Sequence, residues 1–249
     1  MSNTRNKLTV ITCSKSDLLG LRITLRSLLQ VKPNSPRCLV IASGYPQKEL
    51  SVLREEFSDL NLEIKVSNKD GIYEAMNLGL EQARTEYVIF INGGDQLESK
   101  GGLEKLVREM NGRSWGYGSL LVNSGTGQNK VYQFKPYRKL LHRMGIKYCP
   151  HPSCVIKRET AINLGGFNTK YKIAADQDLL IKFAKLELPL VSKQQISRFV
   201  RGGVSTRSSH EINQDFKNIS RENFGFFFKS ALIDALIWKI LGVARNLLS

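Results

Sequence analysis

Three sets of polar residues in this 249-residue chain have the types that chemistry uses: Asp70 with Asp95, His151, and Asp176 with Asp178. Asp95 ends the run Asn92-Gly93-Gly94-Asp95, which follows the apolar stretch Tyr87-Val88-Ile89-Phe90-Ile91. Two glycines allow a tight turn there and leave one carboxylate at a strand end, where open α/β sheets bind ligands. A carboxylate in that place suits a divalent cation and, through it, phosphate oxygens, because hard cations take oxygen ligands. Asp176 and Asp178 fall where a helix begins, and His151 lies between two prolines in Cys149-Pro150-His151-Pro152. Taken singly, each has an ordinary structural explanation: a strand-terminating Asp, a helix-start carboxylate, a buried hydrogen-bonded imidazole.

These residues need elements to position them. Ile72, Ala75, Met76, Gly79, Leu80 and Ala83 recur at helical spacing just ahead of the buried strand 87–91, giving helix, turn, strand. Upstream, strands are expected over residues 7–13, 38–42 and 62–67. Helices between them are marked by Leu18, Leu21, Leu25, Leu28 and Leu29, and by residues 48–57. This alternation is the pattern of a parallel sheet covered by helices. After a helix at 103–110 the rhythm changes: strands at 117–122 and 130–134 flank a polar turn. A stiff segment at 149–152, expected to be extended because of its prolines, leads to a strand at 153–156. A helix ending at Gly165-Gly166-Phe167 and another over 179–186 follow. Arg198 to Thr206 reads as a strand entering a polar loop that contains Gly202 and Gly203.

Composition bounds the partners. Thirty-seven basic against 22 acidic residues leave a formal charge of +15, so anionic partners are expected: phosphorylated substrate, an acidic membrane surface or nucleic acid. Aromatic-and-basic RNA motifs and a DNA-reading helix are not evident, which argues against nucleic acid. The four cysteines, Cys13, Cys38, Cys149 and Cys154, lack zinc spacing, and no secretory signal is read at the start. Reduced thiols in a cytoplasmic protein are the expectation. No uninterrupted apolar run reaches the roughly 20 residues of a spanning helix. Residues 224–249 are the most apolar part of the chain, but Lys229, Asp234, Lys239 and Arg245 interrupt them, so an interfacial helix is expected there. Neither the Gly-x-Ser-x-Gly elbow, the dinucleotide fingerprint nor the P-loop is present.

Taken together, Gly71-Ile72-Tyr73-Glu74-Ala75-Met76-Asn77-Leu78-Gly79, Ile91-Asn92-Gly93-Gly94-Asp95, His151, Gly165-Gly166-Phe167, Ala175-Asp176-Gln177-Asp178-Leu179 and Gly202-Gly203-Val204-Ser205-Thr206 resemble family-2 glycosyltransferases of the GT-A fold, in particular colanic-acid-type enzymes of surface polysaccharide assembly. The resemblance spans roughly residues 7–210. It implies an α/β fold with a mostly parallel central sheet flanked by helices, a nucleotide-sugar donor, Mg²⁺ or Mn²⁺, and an inverting hexosyltransferase acting on a glycan or lipid-linked acceptor. Residues 1–112 would be the nucleotide-sugar half and 113–210 the acceptor half, with 211–249 a helical tail on the cytoplasmic face of an anionic membrane. Carried over residue by residue, Asp95 looks like the metal- and diphosphate-binding carboxylate, Asp176 like the catalytic base, and Asp70 and Asn92 like donor contacts. His151, Asp178, Gly202 and Gly203 resemble positions on the acceptor or phosphate side.

The chain also departs from the family pattern. Relatives commonly end the second strand in Asp-Gly-Gly-Ser, whereas here Ala42-Ser43-Gly44-Tyr45 leaves that donor-contacting carboxylate out. Cys13-Ser14-Lys15-Ser16 stands where an aromatic-Asn pair is common, and one residue is missing between Asp70 and Gly71. A non-catalytic scaffold of the same fold is the competing reading; it predicts no donor binding.

Overall fold

The computed structural model describes residues 7–31, 36–98, 101–123, 129–200 and 209–224. Nine strands form one sheet in the order β3-β2-β1-β4-β8-β6-β9-β5, with β7 paired to the outer part of β6. The first half alternates as read from the sequence: β1 (Leu8–Lys15), α1 (Leu18–Leu29), β2 (Arg37–Ser43), α2 (Gln47–Glu56), β3 (Leu62–Val66), α3 (Ile72–Gln82) and β4 (Tyr87–Phe90). These four strands are parallel, with β1 hydrogen-bonded to β2 on one side and β4 on the other. The connection therefore reverses direction beside β1, and the crevice at the carboxyl ends of β1 and β4 is a topological switch point.

The second half is mixed. It comprises β5 (Gln96–Leu97), α4 (Gly102–Met110), β6 (Trp115–Asn123), β7 (Asn129–Tyr132), α5 (Lys139–Arg143), β8 (Cys154–Lys157), α6 (Arg158–Asn163), α7 (Ala175–Leu186), β9 (Leu190–Val200) and α8 (Ser209–Phe224). Strand β8 runs antiparallel to β4 and β6, while β6 and β9 are parallel. The short β5 and the short α5 carry no strong periodicity and escape a reading of the sequence alone, whereas α8 falls largely within the helical tail expected over 211–249.

Alternate residues of the central strands go to opposite faces, so both faces are buried and the strands read as continuous apolar runs. Ile11, Cys13, Leu39, Ile41, Val88 and Phe90 join the core beneath α3 and α7. Leu8, Val10, Cys38, Val40, Tyr87 and Ile89 join the core beneath α1, α2 and α4. Close approach of α3 to the sheet depends on Gly79, where a Cβ would lie 2.5 Å from Ile11 Cγ2. Helix α8 crosses the boundary drawn at residue 210: Phe216 and Ile219 are buried in the same core as α7. Among the described residues no helix is long and apolar enough to cross a membrane. The apolar tail from residue 225 and the Gly202-Gly203 loop lie outside the described residues.

One local expectation is corrected. The segment around His151 is not extended: His151–Ser153 forms a single 3₁₀ turn, closed by the Ser153 amide donating to Pro150 O at 2.7 Å. Pro152 occupies a first-turn position, where its missing N–H costs no hydrogen bond and its fixed φ suits the turn. Proline stiffness therefore stabilises a turn here.

Candidate active site

Lys15 ends β1, and Asp70 and Asp95 follow the carboxyl ends of β3 and β4, as the switch-point topology requires. Asp70 comes four residues after β3 and is fully solvent-facing; Lys15 Nζ lies 2.8 Å from its Oδ1. The hydrogen bond and charge of Lys15 hold the Asp70 carboxyl below the usual carboxylate range. Lys15 is a site residue that the sequence reading missed, because a lone lysine at a strand end carries no pattern.

The Asn92-Gly93-Gly94-Asp95 turn is held from below. The Gly93 amide donates to Cys13 O at 3.2 Å, and the Gly94 amide to Gly20 O at 3.0 Å. Thr24, completely buried on α1, accepts from the Gly94 amide at 3.1 Å and donates to Asp95 O at 2.7 Å. A polar residue on the face marked by Leu21, Leu25 and Leu28 was the available clue to this role. A Cβ at Gly93 would lie 2.9 Å from Ser14 Oγ, so the turn seats directly on the end of β1. Asp95 is 6% exposed, and the buried Asn92 Oδ1 accepts no hydrogen bond among the described residues. No group of three or more His, Cys, Asp or Glu residues capable of holding a metal exists among the described residues. The available donor set is oxygen only: one carboxylate and one amide carbonyl. That set fits a magnesium- or manganese-type ion whose remaining ligands come from substrate phosphate and water, and does not fit an all-protein cage.

On the other side of β4, His151 stacks on Phe90 with ring centroids 5.6 Å apart and meets the edge of Phe167 at 5.7 Å. Burial pushes its pKa down, opposed by the nearby Asp176 carboxylate. The ring is therefore neutral near neutral pH. Phe167 is fixed by Asn77 of α3, whose side-chain amide donates to Phe167 O and accepts from the Phe167 amide, each at 2.8 Å. Gly166, at φ +65°, allows this approach: a Cβ there would lie 2.5 Å from Asn77 Oδ1. Asn77 thus explains the polar position in the motif that begins at Gly71.

Asp176 is half-buried in the first turn of α7. Two other elements fix the start of that helix, and its own Gln177 holds Asp176. Tyr73 of α3 donates its hydroxyl to Ile173 O. Asp215 of α8 accepts from the Ile173 and Ala174 amides at 2.7 and 3.1 Å, satisfying donors at the positive end of the helix. Gln177 donates to Asp176 Oδ2 at 2.8 Å. Asp178 turns elsewhere: almost wholly buried, it lies 2.9 Å from Lys182 Nζ, one helical turn on. The structure therefore gathers Asp176 and His151 around the end of β4, with the Asp95 turn on the same strand's exit, while Asp70 sits at the outer rim with Lys15. All four cysteines are buried free thiols.

A parallel half-sheet of order β3-β2-β1-β4, continued by antiparallel β8 and bearing carboxylates along one edge, is the architecture of a GT-A glycosyltransferase domain. Residues 9–164 match the glycosyl transferase family 2 model, and the chain belongs to that family. It is 24% identical over 204 residues to the uncharacterized glycosyltransferase Rv1514c of Mycobacterium tuberculosis H37Rv, a match covering 79% of this chain and 76% of that protein. Among solved structures it is similar to S. aureus TarS 1-349 in complex with UDP-GlcNAc, with TM-score 0.69 and 17% identity over 98% of this chain and 73% of that one. It is also similar to mannosyltransferase PcManGT from Pyrobaculum calidifontis in complex with GDP-Man and Mn²⁺, with TM-score 0.62 and 18% identity over 88% and 64% of the two chains. In another TarS structure this chain spans 40% of the partner's length.

Proposed function

We propose that this glycosyltransferase moves a hexose from a nucleotide-sugar donor to a glycan or lipid-linked acceptor of a surface polysaccharide, with inversion at the anomeric carbon. The observation carrying this reading is the placement of Asp176 and the Asn92–Asp95 turn about the exit of β4, at the switch point where the fold binds ligands. Asp176 takes the proton from the attacking acceptor hydroxyl while that oxygen bonds to the anomeric carbon and the bond to the leaving diphosphate breaks. Asp95 and Asn92 would hold Mg²⁺ or Mn²⁺, which when bound stabilises the negative charge of the departing diphosphate. The complexes of similar proteins with UDP-GlcNAc and with GDP-Man and Mn²⁺ support both the donor class and the metal. Lys15 and Asp70 line the nucleoside side, His151 keeps the acceptor side dry and uncharged, and Gly202 and Gly203 bind on the acceptor or phosphate side.

The +15 charge and the apolar sequence of residues 224–249 support attachment to the cytoplasmic face of an anionic membrane, next to a lipid-linked acceptor. A non-catalytic scaffold is the second reading, favoured by Ala42 at the end of β2. A panel of UDP- and GDP-sugars, assayed for thermal stabilisation and hydrolysis with and without Mg²⁺ or Mn²⁺, separates the two. One donor should stabilise and turn over only with metal, and Asp95→Asn should abolish that metal-dependent turnover. Absence of any donor response supports the scaffold. Salt-sensitive oligonucleotide binding without a donor response overturns both.

A further inference from the structure

Gln177 is 6% exposed, and every hydrogen-bonding position of its side-chain amide is used. The NH₂ group donates to Asp176 Oδ2 at 2.8 Å and to Cys149 O at 3.1 Å. The carbonyl oxygen accepts from the Cys149 amide at 3.0 Å and pairs with His142 Nε2 at 3.0 Å. An amide oxygen cannot donate, so His142 Nε2 carries the proton. Its Nδ1, 3.0 Å from Tyr137 Oη, then accepts from that hydroxyl. His142 has no solvent exposure, consistent with one neutral tautomer. Rotating the Gln177 amide by half a turn would set its NH₂ against the Cys149 and His142 N–H groups, and its carbonyl against Cys149 O and the Asp176 carboxylate. Only the contact with His142 could be recovered, by a change of tautomer; those with the Cys149 amide, Cys149 O and Asp176 would all become repulsive, so the surroundings select one orientation. In that orientation an N–H always points at Asp176, and the same amide grips both polar atoms of the Cys149 peptide two residues before His151.

We infer that Gln177 is a positioning residue for Asp176, holding the carboxylate in one orientation and coupling it to the His151 turn through the Cys149 peptide. The inference rests on Asp176 being the base. With Oδ2 engaged, the carboxylate has a preset direction in which to receive the acceptor proton, and the buried His142 and Tyr137 brace the amide from behind. The other groups facing Asp176 are Tyr73 from α3, and Cys149, His151 and Cys154 from the segment between α5 and α6. Cysteine and tyrosine there are neutral because burial raises their pKa values, and histidine because burial lowers its own. Gln177 is thus the group among these that donates a hydrogen bond directly to the carboxylate.

The test compares wild type, Gln177→Met, Gln177→Glu and Asp176→Asn, using hydrolysis of UDP-GlcNAc and GDP-Man and an NMR titration of the Gln177 side-chain amide. Gln177→Met removes all four contacts and can fail to fold. Gln177→Glu keeps both accepting contacts while losing both donations, and is the variant on which the inference stands. Its kcat should fall about tenfold or more with donor KM unchanged, and the acid limb of its kcat profile should move to higher pH. In wild type the Gln177 NH₂ resonance should follow a single protonation that disappears in Asp176→Asn, a readout that needs no turnover. An NH₂ signal indifferent to Asp176→Asn, or folded Gln177→Glu with wild-type kcat and acid limb, overturns the inference. Full turnover by Asp176→Asn instead overturns the reading of Asp176 as base.

Discussion

Acidification should destabilise this domain through His142, and the size of the effect follows from its surroundings. The imidazole is completely enclosed, and burial lowers its pKa from 6.5 to about 4, partly offset by the hydrogen bond to Gln177. The unfolded chain therefore binds a proton near pH 6.5 that the folded chain refuses until about pH 4, so stability is complete above pH 6.5 and falls as the pH drops through that window. One unit of difference corresponds to 1.36 kcal/mol, so His142 alone removes about 2 kcal/mol between pH 7 and pH 5, and about 3 kcal/mol below pH 4. His151, also buried with a lowered pKa, acts in the same direction. Urea unfolding at pH 7 and pH 5 measures the loss, and His142→Gln should reduce the difference between the two pH values by about 2 kcal/mol whatever its effect at pH 7. An NMR titration should show no charging of the His142 ring above pH 5. A ring that titrates near pH 6.5 in the folded protein, or an unchanged pH difference in His142→Gln, would refute the assignment of a closed, neutral His142.

Three further outcomes follow from the site. Asp176→Asn should keep the fold and donor binding while lowering turnover by about 10²–10⁴, whereas Asp178→Asn should lower the melting temperature by weakening the buried pair with Lys182 and leave turnover per folded molecule largely intact; calorimetry and single-turnover kinetics on both variants distinguish these roles. Asn77→Ala removes both hydrogen bonds to the Phe167 backbone and should cost about 1–3 kcal/mol in denaturant unfolding, with a loosened Phe167 and His151 visible as reduced hydrogen-exchange protection. Flotation with anionic liposomes should recover the full chain and lose a chain truncated before Phe224; equal recovery of both would count against a membrane-attaching tail.

The parallel half of the sheet was legible in the sequence because β1, β2 and β4 bury both faces and each intervening helix shows one apolar stripe. Residues 8–90 required little beyond counting, and the glycine turn before Asp95 announced itself by residue type. Family resemblance singled out Asp176 from Asp178, two positions apart in one motif, and the tertiary structure then gave each its surroundings. Asp178 meets Lys182 on its own helix, a spacing readable in principle from i and i+4, while the setting of Asp176 depends on Tyr73, Asp215, Gln177 and the His151 turn, drawn from four different parts of the chain. The same holds for Thr24, Asn77 and His142. Each is a single polar residue in an apolar setting, and whether such a residue is a tolerated exception or a clamp depends on the group it faces, up to 90 positions away for Asn77 and Phe167. Proline chemistry restricted residues 149–152 without choosing their shape; the 3₁₀ turn at His151 was decided by the Phe90 and Phe167 rings packed against it and by the Cys149 peptide held on Gln177. Local periodicity determined where the elements are, and long-range polar contacts, which leave no period in the chain, determined which way the site residues face.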